Sequence, residues 1–186
     1  LVAIAPEIIL TAAAGIILIL EAFLPRIRRF MSELTIAAVI AAMWARLHWP
    51  LPGDVWAGMM RIDGTAAFVD LYILAALLLS VWIAGPFLRR ASSEFGEFYS
   101  LLLLSTVGAM VMASAQNLLL VFLGLELLSI PLYVLNAFLR RHEVSVEAGL
   151  KYFIVGAFAS AFIVYGMALL YGATGSTDLA TDQLLG

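Results

Sequence analysis

Cysteine is missing from this 186-residue sequence, lysine occurs once, and histidine twice. Without cysteine there are no disulfides, no thiolate chemistry and no cysteine-ligated metal or iron–sulfur centre. The histidines, His48 and His142, stand far apart at the ends of apolar stretches, so they do not supply the three or four ligands that a metal site needs. Charge is scarce as well. Only 12% of residues are Asp, Glu, Lys or Arg, against about a quarter in a soluble domain. No Gly-rich phosphate loop is present, no catalytic constellation stands out, and neither a metal nor a nucleic-acid partner is expected. The net charge of −3 says little, because location decides what a charge does in a membrane protein. Leu1–Ile4 carries no basic n-region and no small-residue cleavage site follows the first apolar run, so no cleavable signal is expected. The sequence stops at Gly186 in a polar segment, which reads as a portion of something longer.

What the chain does have is hydrocarbon. Hydrophobic residues make up 64% and the mean hydropathy is +1.06. These values predict an all-α, polytopic membrane protein with about six transmembrane helices in contact with lipid. The expected spans are residues 4–24, 31–48, 66–88, 97–115, 117–138 and 147–171. Pro6 sits where a first helical turn tolerates proline. Between the second and third spans, Pro50, Pro52, Gly53, Asp54 and the Asp63-Gly64 pair are turn signals, and a short hairpin is expected within 50–65. Trp44, Trp49 and Trp56 suggest an aromatic belt at that interface. Gln116 and Asn117 form a very tight turn between the fourth and fifth spans. Small residues at Gly149, Gly156 and Ser160, and more weakly around Gly108 and Met112-Ala113, mark faces where helix backbones pack closely.

Basic residues divide unevenly between the two sets of connections. Arg26, Arg28, Arg29, Arg89, Arg90, Arg140, Arg141 and Lys151 fall on one side, Arg46 and Arg61 on the other. By the positive-inside rule the first set is cytoplasmic and the N-terminus lies outside.

The sharpest chemical feature is Glu126, near the middle of the fifth span. It lies twelve residues from the cytoplasmic end, ~18 Å by helical rise. A carboxylate at that depth costs ~2.5 kcal/mol or more, so it faces protein or water. It is read either as a proton-exchanging site or as a neutral acid bonded to a neighbouring helix. Pro131, five residues on, removes a backbone donor and frees a carbonyl near Leu127. Ser129 and Asn136 share the span and either hold water near Glu126 or pack between helices. Lys151 is read in two ways, as a snorkelling anchor or as a base whose proton shifts on burial. Its direct pairing with Glu126 is doubtful, because the two differ in depth by ~12 Å. Glu7, Glu21 and Asp70 are expected to be wet, interfacial acids at span ends, although Asp70 also suits the lining of an outward water path.

Several runs resemble one family. Phe122-Leu-Gly-Leu-Glu126-Leu-Leu-Ser-Ile-Pro131-Leu-Tyr133, Glu147-Ala-Gly-Leu-Lys151-Tyr-Phe153 and Tyr165-Gly-Met-Ala-Leu-Leu-Tyr-Gly172 are similar to the N subunit of proton-pumping NADH:quinone oxidoreductase, respiratory complex I. Met60-Arg-Ile-Asp-Gly64 and Glu97-Phe-Tyr-Ser-Leu-Leu also match, so the resemblance covers residues 60–175. It implies an antiporter-like fold of about fourteen helices, of which this chain is the N-terminal part. Residues 1–96 would hold three N-terminal helices, and residues 97–186 the first three helices of the first repeat plus a polar tail. The resemblance further implies that Glu126 and Lys151 take part in proton transfer, with Ser129, Pro131 and Asp70 as possible support. It implies no cofactor in this chain, with NADH, flavin, iron–sulfur clusters and quinone held by other subunits. Other membrane subunits of the complex would be its partners, in a bacterial inner membrane. Two rival readings are a subunit of a multi-subunit cation/proton antiporter and a structural membrane scaffold.

Overall fold

Long apolar runs separated by turn residues fold into six helices and one hairpin in the computed structural model, which describes residues 2–24, 28, 30–48, 53–90 and 95–179. After a 3-10 turn at Val2–Ile4 come α1 (Ala5–Phe23), α2 (Met31–His48), β1 (Gly53–Val55), β2 (Met60–Ile62), α3 (Gly64–Arg90), α4 (Gly96–Ser114), α5 (Leu118–Asn136) and α6 (Glu143–Thr174). The expected spans are recovered within a few residues, except that α6 begins four residues before the predicted start and ends three beyond the predicted end. All helices but α2 are long and apolar enough to cross a membrane. The chain is a multi-pass membrane protein.

Local chemistry explains the boundaries. Asp63 caps α3, its Oδ1 accepting from the Ala66 amide at 2.8 Å. Asn117 caps α5 by accepting from the Leu119 amide at 2.9 Å. Gly175, at φ 70°, ends α6 in the left-handed conformation that glycine adopts without a Cβ penalty. The expected hairpin is present: β1 pairs antiparallel with β2, Asp54 opposite Arg61, and these two side chains form an exposed ion pair at 2.9 Å. Trp44 and Trp56 are both about half exposed near this end, as an interfacial belt requires. Trp49, predicted to join them, lies outside the described residues, as do Arg26, Arg29 and Asp182.

α4 is the centre of the bundle, packed on α1, α3 and α5, while α6 leans on α5. One core runs through α1–α4, with Leu10, Ile17, Val39, Leu74, Tyr99 and Leu103 fully enclosed. A second, smaller core joins Ala3 and Ile4 to Met60 and Ile62 of the hairpin and to Ala115 and Leu120. The tight turn at Gln116-Asn117 ties this end together. Gln116 donates its amide to Met59 O at 2.8 Å and accepts from the Leu179 amide at 2.9 Å. Asn117 Nδ2 reaches Thr177 Oγ1 and Asp178 Oδ1, at 2.7 and 2.9 Å. Asp178, expected in a polar tail, is thus docked on the α4–α5 turn.

The small residues are packing faces, as the sequence suggested. A Cβ on Gly108 would enter the backbone of Leu128, and one on Gly124 would lie 2.8 Å from the Met112 amide. α4 and α5 therefore touch backbone to backbone. Gly149 faces Ala137 in the same way, and Gly156 takes the Tyr133 ring.

The basic residues cluster as expected. Arg28 pairs with Glu21 at 3.0 Å, and Arg140 approaches Glu97 at 3.7 Å, at the end opposite the hairpin. Arg89 lies 3.9 Å from Glu33 at that same end. Glu21 corrects an expectation: it is buried and not wet. Its Oε2 accepts the Glu97 amide at 2.9 Å, so it caps the start of α4 from the neighbouring helix.

Gly108→Leu would force α4 and α5 apart. We expect a loss of about 1–3 kcal/mol or more, read as a lower melting temperature of the purified protein; an unchanged melting temperature would refute the close approach.

Candidate functional site

Glu126 sits eight residues beyond the first residue of α5, well inside the bundle's length. It is half-buried in the seam between α5 and α6. Its Oε1 accepts a hydrogen bond from Ser160 Oγ of α6. No ion pair reaches it among the described residues. The seam has a regular register, with Ala137 opposite Gly149, Tyr133 against Gly156, and Glu126 against Ser160. Tyr133 stands edge-on to Tyr152 and Phe153, with ring centroids 4.9 and 5.7 Å apart. Glycine at 149 and 156 lets the helices close until the serine hydroxyl reaches the acid. Ser160 was marked in the sequence only as a small packing residue. The signal for its polar role was its alignment with Gly149 and Gly156 on one face of α6.

The other expected participants do not gather around Glu126. Ser129 Oγ bonds back to Leu125 O at 2.7 Å, and Asn136 Nδ2 to Leu132 O at 2.9 Å, so both serve their own helix. Pro131 is buried inside α5. Beside it, Ser105 Oγ of α4 donates to Leu128 O at 3.0 Å, one residue along from the carbonyl expected to be freed. Lys151 pairs with Glu147 one turn earlier on α6, and its side chain is 73% exposed. Lys151 lies nine residues before Ser160 on α6, ~13 Å by helical rise. It therefore does not pair with Glu126.

A second charged cluster was not expected. Arg46 of α2, Glu7 of α1 and Asp70 of α3 are buried together near the hairpin end, at 6%, 5% and 0% exposure. Arg46 Nη2 lies 2.8 Å from Glu7 Oε1 and 2.6 Å from Asp70 Oδ2, while Nη1 donates to Ala3 O at 3.0 Å. Two expectations are corrected here. Glu7 is not wet, and Asp70 does not snorkel: it is six residues into α3, ~9 Å by helical rise, and faces inward. The sequence held the clue, because each charge continues an inward stripe at helical spacing. On α1 the stripe is Glu7, Leu10, Ala14, Ile17; on α2 it is Thr35, Val39, Ala42, Arg46; on α3 it is Asp70, Leu74, Leu77, Val81. Among the described residues, no group of three or more His, Cys, Asp and Glu is arranged to hold a metal ion.

Comparison with known proteins bears on what this arrangement serves. Residues 115–185 match a family model described as NADH:quinone oxidoreductase/Mrp antiporter, transmembrane. NADH-quinone oxidoreductase subunit N of Desulfovibrio desulfuricans is 41% identical over 180 residues, covering 96% of this chain and 36% of that protein. The protein of the same name from Trichlorobacter lovleyi is 38% identical, with 94% and 36% covered. A chain of respiratory complex I from Thermus thermophilus superposes with a TM-score of 0.79 at 33% identity, covering 95% of this chain and 38% of that one. The chain thus spans a little over a third of the length of these relatives.

The Ser160–Glu126 contact is open to a double-mutant cycle. Ser160→Ala and Glu126→Gln should show a coupling of about 1–2 kcal/mol in thermal stability. Strict additivity would mean that the two side chains do not interact.

Proposed function

Because the chain belongs to the family of NADH-quinone oxidoreductase subunit N, we propose that it forms the N-terminal part of an antiporter-like membrane subunit that takes part in redox-coupled proton translocation. In this reading it carries no redox centre. NADH, flavin, iron–sulfur clusters and quinone belong to other subunits of a complex I assembly in a bacterial inner membrane, and the neighbouring membrane subunits are its partners. α1–α3 are then the N-terminal helices, and α4–α6 open the first repeat. The excess of arginine at the end opposite the hairpin supports a cytoplasmic location for that end and an N-terminus outside.

The observation that carries the proposal is Glu126, an acid at mid-helix whose only bonding partner among the described residues is a neutral hydroxyl. A paired carboxylate is held in one charge state by its cation. Glu126 has no such cation, so its charge follows the field around it, and a charge arriving within ~4–6 Å changes its proton occupancy. Ser160 turns with that change, because a hydroxyl donates to the carboxylate and accepts from the protonated acid. Lys151, held by Glu147 on the exposed face of α6, serves as the next charge along the path towards residues outside this chain. Ser129 and Pro131 have supporting roles, shaping the α5 backbone around the acid, whereas Asp70 lies in a separate charged cluster and takes no part in this step.

A cation/proton antiporter subunit is the second reading, favoured only by the matched family model, whose description covers both kinds of protein. The same Glu126 chemistry would operate there without a redox driver.

The test is Glu126→Gln in the intact assembly. Coupled proton translocation should fall by about tenfold or more, while Glu126→Asp retains part of it. Translocation at the wild-type level in Glu126→Gln would end this assignment.

A further inference from the structure

The cluster of Glu7, Arg46 and Asp70 is not used by the mechanism above. It brings two carboxyl groups and one guanidinium into a space closed to solvent, from three different helices. Arginine stays protonated in proteins, so with both acids ionised the cluster would carry a net negative charge in a low-dielectric interior. The hydrogen-bond inventory does not support that state. Nη1 of Arg46 is taken by the Ala3 carbonyl, Nη2 faces both acids, and Nε reaches neither of them, with no hydrogen-bond partner among the described residues. Glu7 Oε2 and Asp70 Oδ1 have no donor among the described residues, and the close Asp70 Oδ2 contact lacks hydrogen-bond alignment. Both acids approach one nitrogen, so their contacting oxygens lie within about 5.4 Å of each other. Two carboxylates that close are not both ionised readily away from water.

We infer that Glu7 and Asp70 bind one proton between them, and that with Arg46 they form a second buried protonatable site, at the hairpin end of the bundle and separate from Glu126. With one proton the cluster is neutral: the guanidinium balances one carboxylate, and the other acid gains the O–H donor that the inventory lacks. The proton comes from bulk water and returns to it, and no other bond forms or breaks. No further titratable group competes for it among the described residues. Asp63 is exposed and occupied in capping α3, and Arg61 and Asp54 pair with each other on the exposed hairpin. Thr11 on α1 bonds the Glu7 carbonyl, and Ser114, at this end of α4, bonds the Met110 carbonyl. Ala3, Ile4, Met60 and Ile62 form an apolar core at the same end.

The inference does not depend on the role proposed for Glu126, and the test separates the two. In the intact membrane assembly, infrared spectra of wild type and Asp70→Asn would be compared over a pH series. The expected result is a protonated-carboxyl carbonyl band, sensitive to deuterium exchange, that is present in wild type, absent in Asp70→Asn and in Glu7→Gln, and retained in Glu126→Gln. Each single amide variant imitates one protonated acid, so it should assemble at the wild-type level. The double variant Glu7→Gln/Asp70→Asn leaves Arg46 without a counter-charge, and its assembled yield should drop at least tenfold. The inference is overturned if no such band depends on Glu7 or Asp70, if either single variant fails to assemble, or if the double variant assembles as well as the singles.

Discussion

Arg46 is the interaction on which the first half of the bundle depends. A guanidinium on α2 that was not matched inside the protein would exclude that helix from a hydrocarbon layer, because an unpaired buried charge is among the most costly groups a fold can carry. Glu7 from α1 and Asp70 from α3 both meet its Nη2, and the Ala3 carbonyl takes Nη1. The three helices are thereby fixed in rotation, since each charge continues that helix's inward apolar stripe. α2 is the helix that falls short of membrane-spanning apolarity, and Ser32, Thr35 and Arg46 are the polar residues it turns inward. The same economy governs the opposite end, where Glu21 pairs with Arg28 and caps α4. In both places a carboxylate joins elements distant in sequence.

The second half is held differently. Between α4 and α5, and between α5 and α6, glycine replaces charge as the organising residue. Gly108 and Gly124 bring two backbones into contact, and Gly149 and Gly156 seat α6 against Ala137 and Tyr133. In lipid there is little hydrophobic drive between helices, so close packing and a few interhelical hydrogen bonds carry the association. Ser105 to Leu128 O, Ser145 to Asn136 O and Ser160 to Glu126 are such bonds here. The position of Glu126 follows from this seam. It is deep enough to be shielded and close enough for a hydroxyl to reach, yet beyond the reach of Lys151.

Much of this architecture was legible in the sequence, because hydropathy and turn residues act locally. The hairpin between Gly53 and Ile62, the turn at Gln116-Asn117 and the helix ends around Asp63 and Gly175 all follow from side chains beside the backbone they shape. The packing glycines of α6 were legible for the same reason, and so were the motifs that carry the family resemblance. Pairings across the fold were not. Glu7 and Asp70 read as interfacial acids because each lies near a helix end, and linear distance to an interface says nothing about rotation about the helix axis. Arg46 was counted as an interfacial cation on the same ground. Ser129 was read as holding water near Glu126 or packing between helices, but a serine in mid-helix readily bonds the carbonyl four residues back, as it does here. Lys151 was ambiguous because its depth along the helix did not show which way it faces; it is exposed and takes Glu147, one turn earlier, as its partner.

The proposed role requires Glu126 to change its proton occupancy when the assembly works. The most direct measurement is an infrared difference spectrum of the intact complex between resting and NADH-energised states, recorded for wild type and for Glu126→Gln. A carboxyl carbonyl band that appears or disappears on energisation in wild type and is missing in the variant is the predicted result. Identical difference spectra from the two proteins would contradict it, and would leave Glu126 as a neutral acid that packs α5 against α6.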